Sequence, residues 1–175
     1  MEMQPTFRNL LAAAAALAML AVALLPGSAL AAGKRTVRDA KFDNVKVSRN
    51  GRIDITKVTA SREGAEAKFA IAMRAKLKPA RSKERPGIFI NTRGNRRSSP
   101  EYVVFGSTIF RVRKNGNAKR VGDARLTSSR RTWRFSFDPS QVAALEDGYG
   151  WAAVTQKGNS VADIAPDKGY VNSVR

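Results

Sequence analysis

Residues 67–78 read A-K-F-A-I-A-M-R-A-K-L-K, and small or apolar side chains occupy every second position of the stretch. Successive side chains of a β-strand point to opposite faces. Phe69 and Ile71 are therefore expected to face a protein core, and Lys68 is expected to face water with the alternate positions on its side. Pro79 ends the pattern. The stretch predicts a half-buried strand.

Turn signals and further predicted strands continue along the rest of the chain. Turn signals lie at Glu63-Gly64, at Gly106 and at Asn115-Gly116-Asn117. One short helix is predicted over 141–146. Further strands are predicted over 52–60, 87–92, 101–105, 108–113, 123–127, 132–137 and 149–156. Many short strands with frequent turns predict an all-β fold, a single two-sheet antiparallel β-sandwich that is jelly-roll-like.

The N-terminus has the order of a secretory signal peptide. An apolar run over 10–25 is followed by Pro26-Gly27 and by the small-x-small site Ala29-Leu30-Ala31. Sixteen apolar residues are short for a membrane anchor, which needs about 20. We therefore expect residues 1–31 to be cleaved and residues 32–175 to form one exported domain, extracellular or associated with the cell envelope, without a transmembrane segment.

Composition excludes several classes of function. The 175 residues include 32 Lys or Arg and 14 Asp or Glu, a formal net charge of +18, and there is no Cys or His. Disulfide scaffolds, thiolate or imidazole metal sites and Ser–His or Cys–His nucleophiles are therefore absent. Between residues 33 and 137 the net charge is +20. Such an excess destabilises a compact chain by self-repulsion, which favours a polyanionic partner.

The candidate ligand contacts are arginines in one loop and on predicted outward strand faces. They are Arg93, Arg96, Arg97, Arg111, Arg113 and Arg134. Arginine forks onto phosphate, sulfate or carboxylate groups. The expected partner is an anionic polysaccharide or another envelope polyanion, whereas nucleic acid would bind only non-specifically, through its phosphates.

The sequence signals for a sugar-binding, metal-binding or catalytic site are weaker. Trp151 beside Gly150 could contact a sugar ring, but a core position is favoured. Asp163 with Asp167, and likewise the pair Asp39-x₃-Asp43, could serve calcium, but turn formation is favoured. No catalytic motif is visible, so we expect a non-enzymatic protein with neither cofactor nor metal.

Short motifs along the mature chain resemble a loose group of secreted bacterial β-sandwich proteins of mostly unassigned function. They are Ile53-Asp54-Ile55-Thr56 with Val58, Ile88-Phe89-Ile90-Asn91-Thr92, Pro100-Glu101-Tyr102-Val103-Val104, Phe137-Asp138 and 163–169. The resemblance implies a jelly-roll architecture like that of carbohydrate-binding modules, and it implies no catalytic residues. Asn91 stands where the group often has an aspartate.

The sequence therefore predicts an exported, non-catalytic binding module with a strongly basic surface. The alternative is a structural or protein–protein module of the envelope that meets an acidic partner protein through a sheet edge or an apolar patch. A sandwich that holds a small apolar ligand in an internal cavity is a third reading. The two main alternatives differ in salt response, because polyanion binding weakens steeply as salt rises.

Overall fold

The computed structural model describes residues 34–39, 54–63, 66–76, 84–92, 99–142, 149–158, 160–166 and 169–172. The described strands are β1 Lys34–Arg38, β2 Ile55–Glu63, β3 Glu66–Met73, β4 Glu84–Asn91, β5 Tyr102–Phe105, β6 Thr108–Val112, β7 Ala118–Asp123, β8 Arg125–Ser129, β9 Thr132–Phe137, β10 Gly150–Lys157, β11 Ser160–Ala165 and β12 Val171–Asn172. A 3₁₀ helix, Pro139–Gln141, follows β9.

The strands form two antiparallel sheets. The five-stranded sheet has the order β1-β2-β3-β9-β8. The seven-stranded sheet has the order β11-β10-β4-β5-β6-β7, and β12 also pairs with β10. One cluster of buried apolar side chains is built from both sheets. The predicted all-β, two-sheet antiparallel sandwich is confirmed.

The alternation of β3 determines which side chains form the core. Phe69 is 2% exposed and Ile71 is fully buried, as predicted. The ring of Phe69 stacks on Phe137 of the neighbouring strand β9, with centroids 6.1 Å apart. It also meets Trp151 of the opposite sheet edge-on, at 5.7 Å. The predicted core position of Trp151 is therefore confirmed.

The seven-stranded sheet is apolar on both faces. Ile88 and Ile90 of β4 belong to the core between the sheets. Phe89, which lies between them in sequence and points the opposite way, belongs to a second buried cluster with Val103 and Val154. This explains why β4, β5 and β10 read as continuous apolar runs rather than as alternating ones.

A buried carboxylate ties the two sheets together. Asp163 on β11 of the seven-stranded sheet is 1% exposed, and its Oδ2 accepts a hydrogen bond from the backbone N–H of Ile55 on β2. Next to Ile55, the buried Asp54 carboxylate forms an ion pair with the Arg74 guanidinium. Buried carboxylates need such donors, so Asp163 has a structural role here.

Three local predictions need correction. The strand predicted over 67–78 is shorter, because β3 ends at Met73, and Arg74 and Ala75 form a bend. The predicted helix over 141–146 does not start as an α-helix, because Pro139–Gln141 forms a 3₁₀ turn and Val142 is already extended. Residues 143–148 lie outside the described residues. The predicted strand over 123–127 corresponds to β8 and includes only the last residue of β7, which was otherwise missed. The chain leaves one sheet and enters the other at the buried Ala124.

Three further strands were not predicted. β1, β11 and β12 had no counterpart among the predicted strands. β1 has a single large apolar residue, Val37, so the alternation on which the prediction depended is too weak to detect. The predicted turns at Gly106 and Gly116 are confirmed, and both glycines have positive φ, of 60° and 81°.

Replacing Phe69 with alanine tests the contact between the sheets. Phe69→Ala should lower the free energy of unfolding by about 3–5 kcal/mol, because it removes a fully packed ring that contacts both sheets. Val121→Ala is the control, since Val121 is 36% exposed and its loss should change stability by less than about 0.5 kcal/mol. Urea denaturation of the two variants measures the difference. Equal effects would show that the Phe69 ring is not a core contact.

Candidate anion-binding face

The outward face of the five-stranded sheet is organised in rows. Directly paired residues of neighbouring strands lie on the same face, so the strand register gives their order. The first row, taken from β1 across to β8, is Lys34, Ser61, Lys68, Ser136 and Arg125. The second row is Thr36, Thr59, Ala70, Arg134 and Thr127.

These rows line an open groove of about 620 Å³, which we call the basic groove. Every strand of the five-stranded sheet contributes to it. All five residues of the first row line it, and so do four of the five in the second row. The groove therefore runs across the strands rather than along them.

The short side chain of Ala70 makes the groove possible. β3 is the central strand of the sheet, and its outward residues are Glu66, Lys68, Ala70 and Ala72. Longer side chains stand on the flanking strands, so the methyl group of Ala70 forms a low floor between them. Phe69 and Phe135 line the groove from below and are at most 2% exposed.

The groove has a strong excess of positive charge. Its lining includes four basic residues of the two rows, Lys34, Lys68, Arg125 and Arg134, and the acidic residue Glu66. Arg62 also lines it, from a position paired with the core-facing Ala67. The Glu66 carboxylate lies 3.6 Å from the Lys68 ammonium. Both side chains are well exposed, at 53% and 37%, so this pair contributes little to stability. Acidic residues of the described lining therefore neutralise only a small part of the positive charge of the groove.

Hydroxyl groups lie between the charges and orient some of them. Arg134 donates a hydrogen bond from Nη1 to Ser129 Oγ at 2.7 Å, which holds the guanidinium over the sheet. The Thr36 and Thr59 hydroxyls are 3.2 Å apart on the same face. The face thus presents cationic groups and hydroxyl groups on a backbone held by sheet hydrogen bonds.

The candidate arginines do not share one face. Arg134 lies in the basic groove, as expected from its position opposite to the buried Trp133 and Phe135. Arg111 is exposed on β6 of the seven-stranded sheet, and Arg113 is exposed just beyond the end of that strand. Arg111 and Arg113 therefore belong to the seven-stranded sheet, whereas Arg134 belongs to the five-stranded sheet. The loop arginines Arg93, Arg96 and Arg97 lie outside the described residues.

Arg111 and Arg113 belong to a second basic surface. Arg111 is paired directly with Lys119 of β7, and all three side chains are exposed. Like charges placed opposite each other disfavour the strand pair. This hairpin is smaller than the groove face and spans two strands.

Sequence reasoning missed the charged residues at the two sides of the groove. Lys34 lies on β1, whose sequence has too few apolar residues to predict a strand. Arg125 lies within the predicted strand over 123–127, but its place beside Ser136 depends on strand order. Order within a sheet is a long-range property, and the chain around Arg125 carries no local signal for it.

Shifted pKa values occur at tyrosines. Burial raises the pKa of Tyr149 to about 12, and the nearby positive charge of Arg62 opposes the shift. Burial also raises the pKa of Tyr170, and the negative charge of Glu101 acts in the same direction. Both phenols are therefore uncharged near neutral pH and add no negative charge to the protein surface.

The aspartates considered for calcium do not come together in the described part of the chain. There, no three His, Cys, Asp or Glu side chains lie close enough to hold a metal ion. The Asp163 carboxylate accepts a hydrogen bond from the backbone N–H of Ile55. Asp43 and Asp167 lie outside the described residues. In the described ranges there is also no helix that is both long and apolar enough to cross a membrane.

Comparison with known proteins adds no assignment. The chain matches no protein-family model and no curated protein sequence.

Salt dependence of stability tests the charge of the groove without any ligand. Arg134 is a diagonal neighbour of Lys68 and of Arg125, at Cα distances of about 7–8 Å. Raising NaCl from 10 to ~150 mM shortens the Debye length from about 30 to 8 Å at these ionic strengths. We expect the Tm to rise by about 1–3 °C as this repulsion is screened.

The double variant Arg125→Ala/Arg134→Ala should lose most of this rise in a calorimetric scan. Arg85→Ala/Lys157→Ala removes the same charge from exposed positions on the seven-stranded sheet and should keep the rise. An equal salt response in both variants would show that the charge is spread evenly and that the groove is not a site of concentrated repulsion.

Proposed function

We propose that this protein is an exported, non-catalytic binding protein whose basic groove holds an anionic polymer or surface at the cell envelope. The observation that carries the proposal is the groove across all five strands, in which the two outward rows contribute Lys34, Lys68, Arg125 and Arg134. A polyanion in the groove neutralises this charge and releases the counterions that both partners hold.

The shape of the groove supports an extended ligand. It is open and runs over the whole width of a sheet, so a chain can enter and leave at both sides. Its floor is made of β-strands, and the hydrogen bond from Arg134 to Ser129 holds one cationic group in place before binding. Preformed contacts lower the entropic cost of binding.

Removal of groove charge should weaken polymer binding. The full chain and its variants are titrated with a labelled uronic polysaccharide, teichoic acid and DNA at low and moderate salt. Arg125→Ala/Arg134→Ala should weaken binding by roughly 4- to 25-fold, since each exposed contact is worth up to about 1 kcal/mol. Arg85→Ala/Lys157→Ala, with the same net charge, should lose less than about twofold of its affinity.

Two further variants locate the binding surface. Arg111→Ala/Arg113→Ala tests the hairpin surface, and a triple alanine variant of Arg93, Arg96 and Arg97 tests the loop. If either of these loses more affinity than the groove variant, the groove is not the main site. If all variants of equal charge lose affinity equally and the three polymers bind alike, attraction is generic and the proposal fails.

The Glu66 carboxylate in the groove gives an opposite prediction. Glu66→Gln removes a negative charge next to Lys68 while keeping the size of the side chain. Affinity for each anionic polymer should rise by about twofold, because the Lys68 ammonium no longer shares its charge. The Glu84→Gln variant on β4 of the other sheet is the control and should leave affinity unchanged. An unchanged affinity in Glu66→Gln would place the ligand away from Lys68.

An envelope interaction module is the second candidate function. The observation that favours it is the pair of sheet edges next to each other in sequence: β7 and β8 each end a sheet in the described part of the chain, and β7 exposes Val121. An acidic protein could add a strand at such an edge. Binding that survives moderate salt and is lost with Val121→Asp would favour this function over polymer binding.

A further inference from the structure

We infer that the ligand of the basic groove is a long anionic polysaccharide that leaves the groove at β8, passes the β7–β8 corner and continues onto the hairpin of β6 and β7. The cationic surface of that hairpin is formed by Arg111, Arg113 and Lys119, and we call it the basic hairpin. This extension rests on the proposed function and narrows its ligand to a chain that is longer than the groove is wide.

The chain from β5 to β9 contains almost no acidic residues. Residues 102–137 include nine basic residues, two Lys and seven Arg, and the single acidic residue Asp123. These strands belong to both sheets, since β5, β6 and β7 lie in the seven-stranded sheet and β8 and β9 lie in the five-stranded sheet. The positive charge therefore continues from one sheet to the other and is not confined to the groove.

The basic hairpin faces the same direction as the groove, one layer lower. Arg111 is paired directly with Tyr102, which is buried in the core between the sheets. Directly paired residues share a face, so Arg111 lies on the face that is turned toward the five-stranded sheet. Arg111 and Lys119 are nevertheless exposed, so the five-stranded sheet does not cover them. The groove lies on the far side of that covering sheet and points the same way. Stacked sheets are about 10 Å apart, which gives the height of the step.

One residue carries the chain over this step. β7 ends at Asp123, and β8 begins at Arg125, which lines the groove at its end. Ala124 between them is buried, whereas Asp123 and Arg125 are exposed. Lys119 and Arg125 are six residues apart, so an extended path between them is at most about 20 Å long. A polymer that leaves the groove at Arg125 therefore reaches the basic hairpin within that distance.

The carboxylate at the corner is neutralised by the protein itself. Arg120 Nη2 lies 2.6 Å from Asp123 Oδ1, and the two side chains are 65% and 67% exposed. An exposed pair of this kind contributes little to stability. It does place a positive charge beside the one carboxylate of the connecting strands. Asp138, the next acidic residue along the chain, accepts a hydrogen bond from the backbone N–H of Ser140. The path past the corner is thus open to an anionic chain.

The basic hairpin itself has a feature that a bound anion explains. Arg111 and Lys119 are direct partners across the two strands. Like charges at such positions destabilise the strand pair. An acidic group of the polymer between the two side chains removes this repulsion and forms charge-assisted hydrogen bonds with both. The hairpin is therefore suited to hold one acidic group of a chain that the groove already binds.

The step distinguishes a flexible chain from a flat anionic surface. A membrane that touches the groove leaves the basic hairpin about 10 Å away, which exceeds the Debye length of about 8 Å at physiological salt. A chain can follow the step and contact both surfaces. The groove is four strand spacings wide, about 19 Å, and the corner adds up to about 20 Å. The whole path is thus about 40 Å long.

Hydroxyl groups favour a polysaccharide over single-stranded nucleic acid. Ser61, Thr127 and Ser136 lie between the cations of the groove, and hydroxyl groups both donate to and accept from sugar hydroxyls. Proteins that hold single strands without sequence preference use exposed aromatic rings. The aromatic residues in the described groove lining are Phe69 and Phe135, and both are buried.

The experiment compares two lengths of one polysaccharide at moderate salt. The full chain is titrated with hyaluronan fragments of about 20 Å, which fill the groove alone, and of at least about 80 Å, which exceed the whole path. Arg111→Ala/Lys119→Ala should weaken binding of the long fragment by about three- to tenfold and of the short one by less than about 1.5-fold. Arg125→Ala/Arg134→Ala should weaken both.

The corner supplies a variant with the opposite sign. Asp123→Asn removes the negative charge and releases Arg120 from its pair. Affinity for the long fragment should rise by about two- to threefold, while affinity for the short fragment changes by less than about 1.5-fold. Glu66→Gln, which lies in the groove, should instead raise the affinity for both lengths.

Two controls accompany these variants. Arg85→Ala/Lys157→Ala removes two exposed charges elsewhere and should change affinity by less than about twofold at either length. Arg111→Ala/Lys119→Ala should not lower the Tm, because it removes a pair of like charges. Vesicles of phosphatidylcholine and phosphatidylglycerol and single-stranded DNA of the longer length are titrated in parallel.

The outcomes separate this extension from the proposed function. If the hairpin variant weakens both lengths equally, or neither length, the ligand does not continue past the corner, but the groove still binds anions. If vesicles or DNA bind more tightly than the long fragment and depend on the hairpin, the ligand is a membrane surface or a nucleic acid, and the extension is overturned. If the groove variant affects neither length, the proposed function fails as well.

Discussion

The alternation of side chains along β3 is the constraint on which the rest of the molecule depends. β3 is the middle strand of the five-stranded sheet, so its two faces set the two surfaces of that sheet. Phe69 and Ile71 point inward and are buried against the opposite sheet, where Phe69 meets Trp151. Lys68 and Ala70 point outward and form the middle of the basic groove. A register shift of one residue would exchange these faces and destroy core and groove together.

The two sheets differ because their outer faces meet different surroundings. The seven-stranded sheet buries apolar residues such as Phe89 and Val154 on the face away from the core. The five-stranded sheet has hydroxyl, cationic and alanine side chains at the equivalent positions. Cross-strand rows on such a face place charges at fixed multiples of the strand spacing. Arginines and lysines that are scattered in sequence thereby become an ordered surface.

Much of the fold could be predicted from the sequence, and less of the site. Strong alternation predicted the buried faces of β3 and β9 correctly, because burial of Phe69, Trp133 and Phe135 leaves a local period of two. The same alternation continues to residue 78, beyond the end of β3 at Met73, so it did not predict where the strand ends. Weak alternation hid β1, and the propensity of residues 141–146 for helix did not hold at Val142. The groove depends on which strands become neighbours. Arg134 was therefore identified as an outward cation, but its separation from Arg111 and its closeness to Arg125 are set by long-range pairing.

Nuclear magnetic resonance of alanine methyl groups can locate a bound polymer, because Ala70 lies in the groove and other alanines lie in the core. Labelled full-length chain is titrated with an anionic polysaccharide at moderate salt. A polymer in the basic groove should shift the methyl signal of Ala70 until it saturates, while the signals of the buried Ala153 and Ala162 stay in place. Shifts confined to Ala118 on the β6–β7 hairpin, or small shifts spread over all alanines, would contradict a binding site in the basic groove.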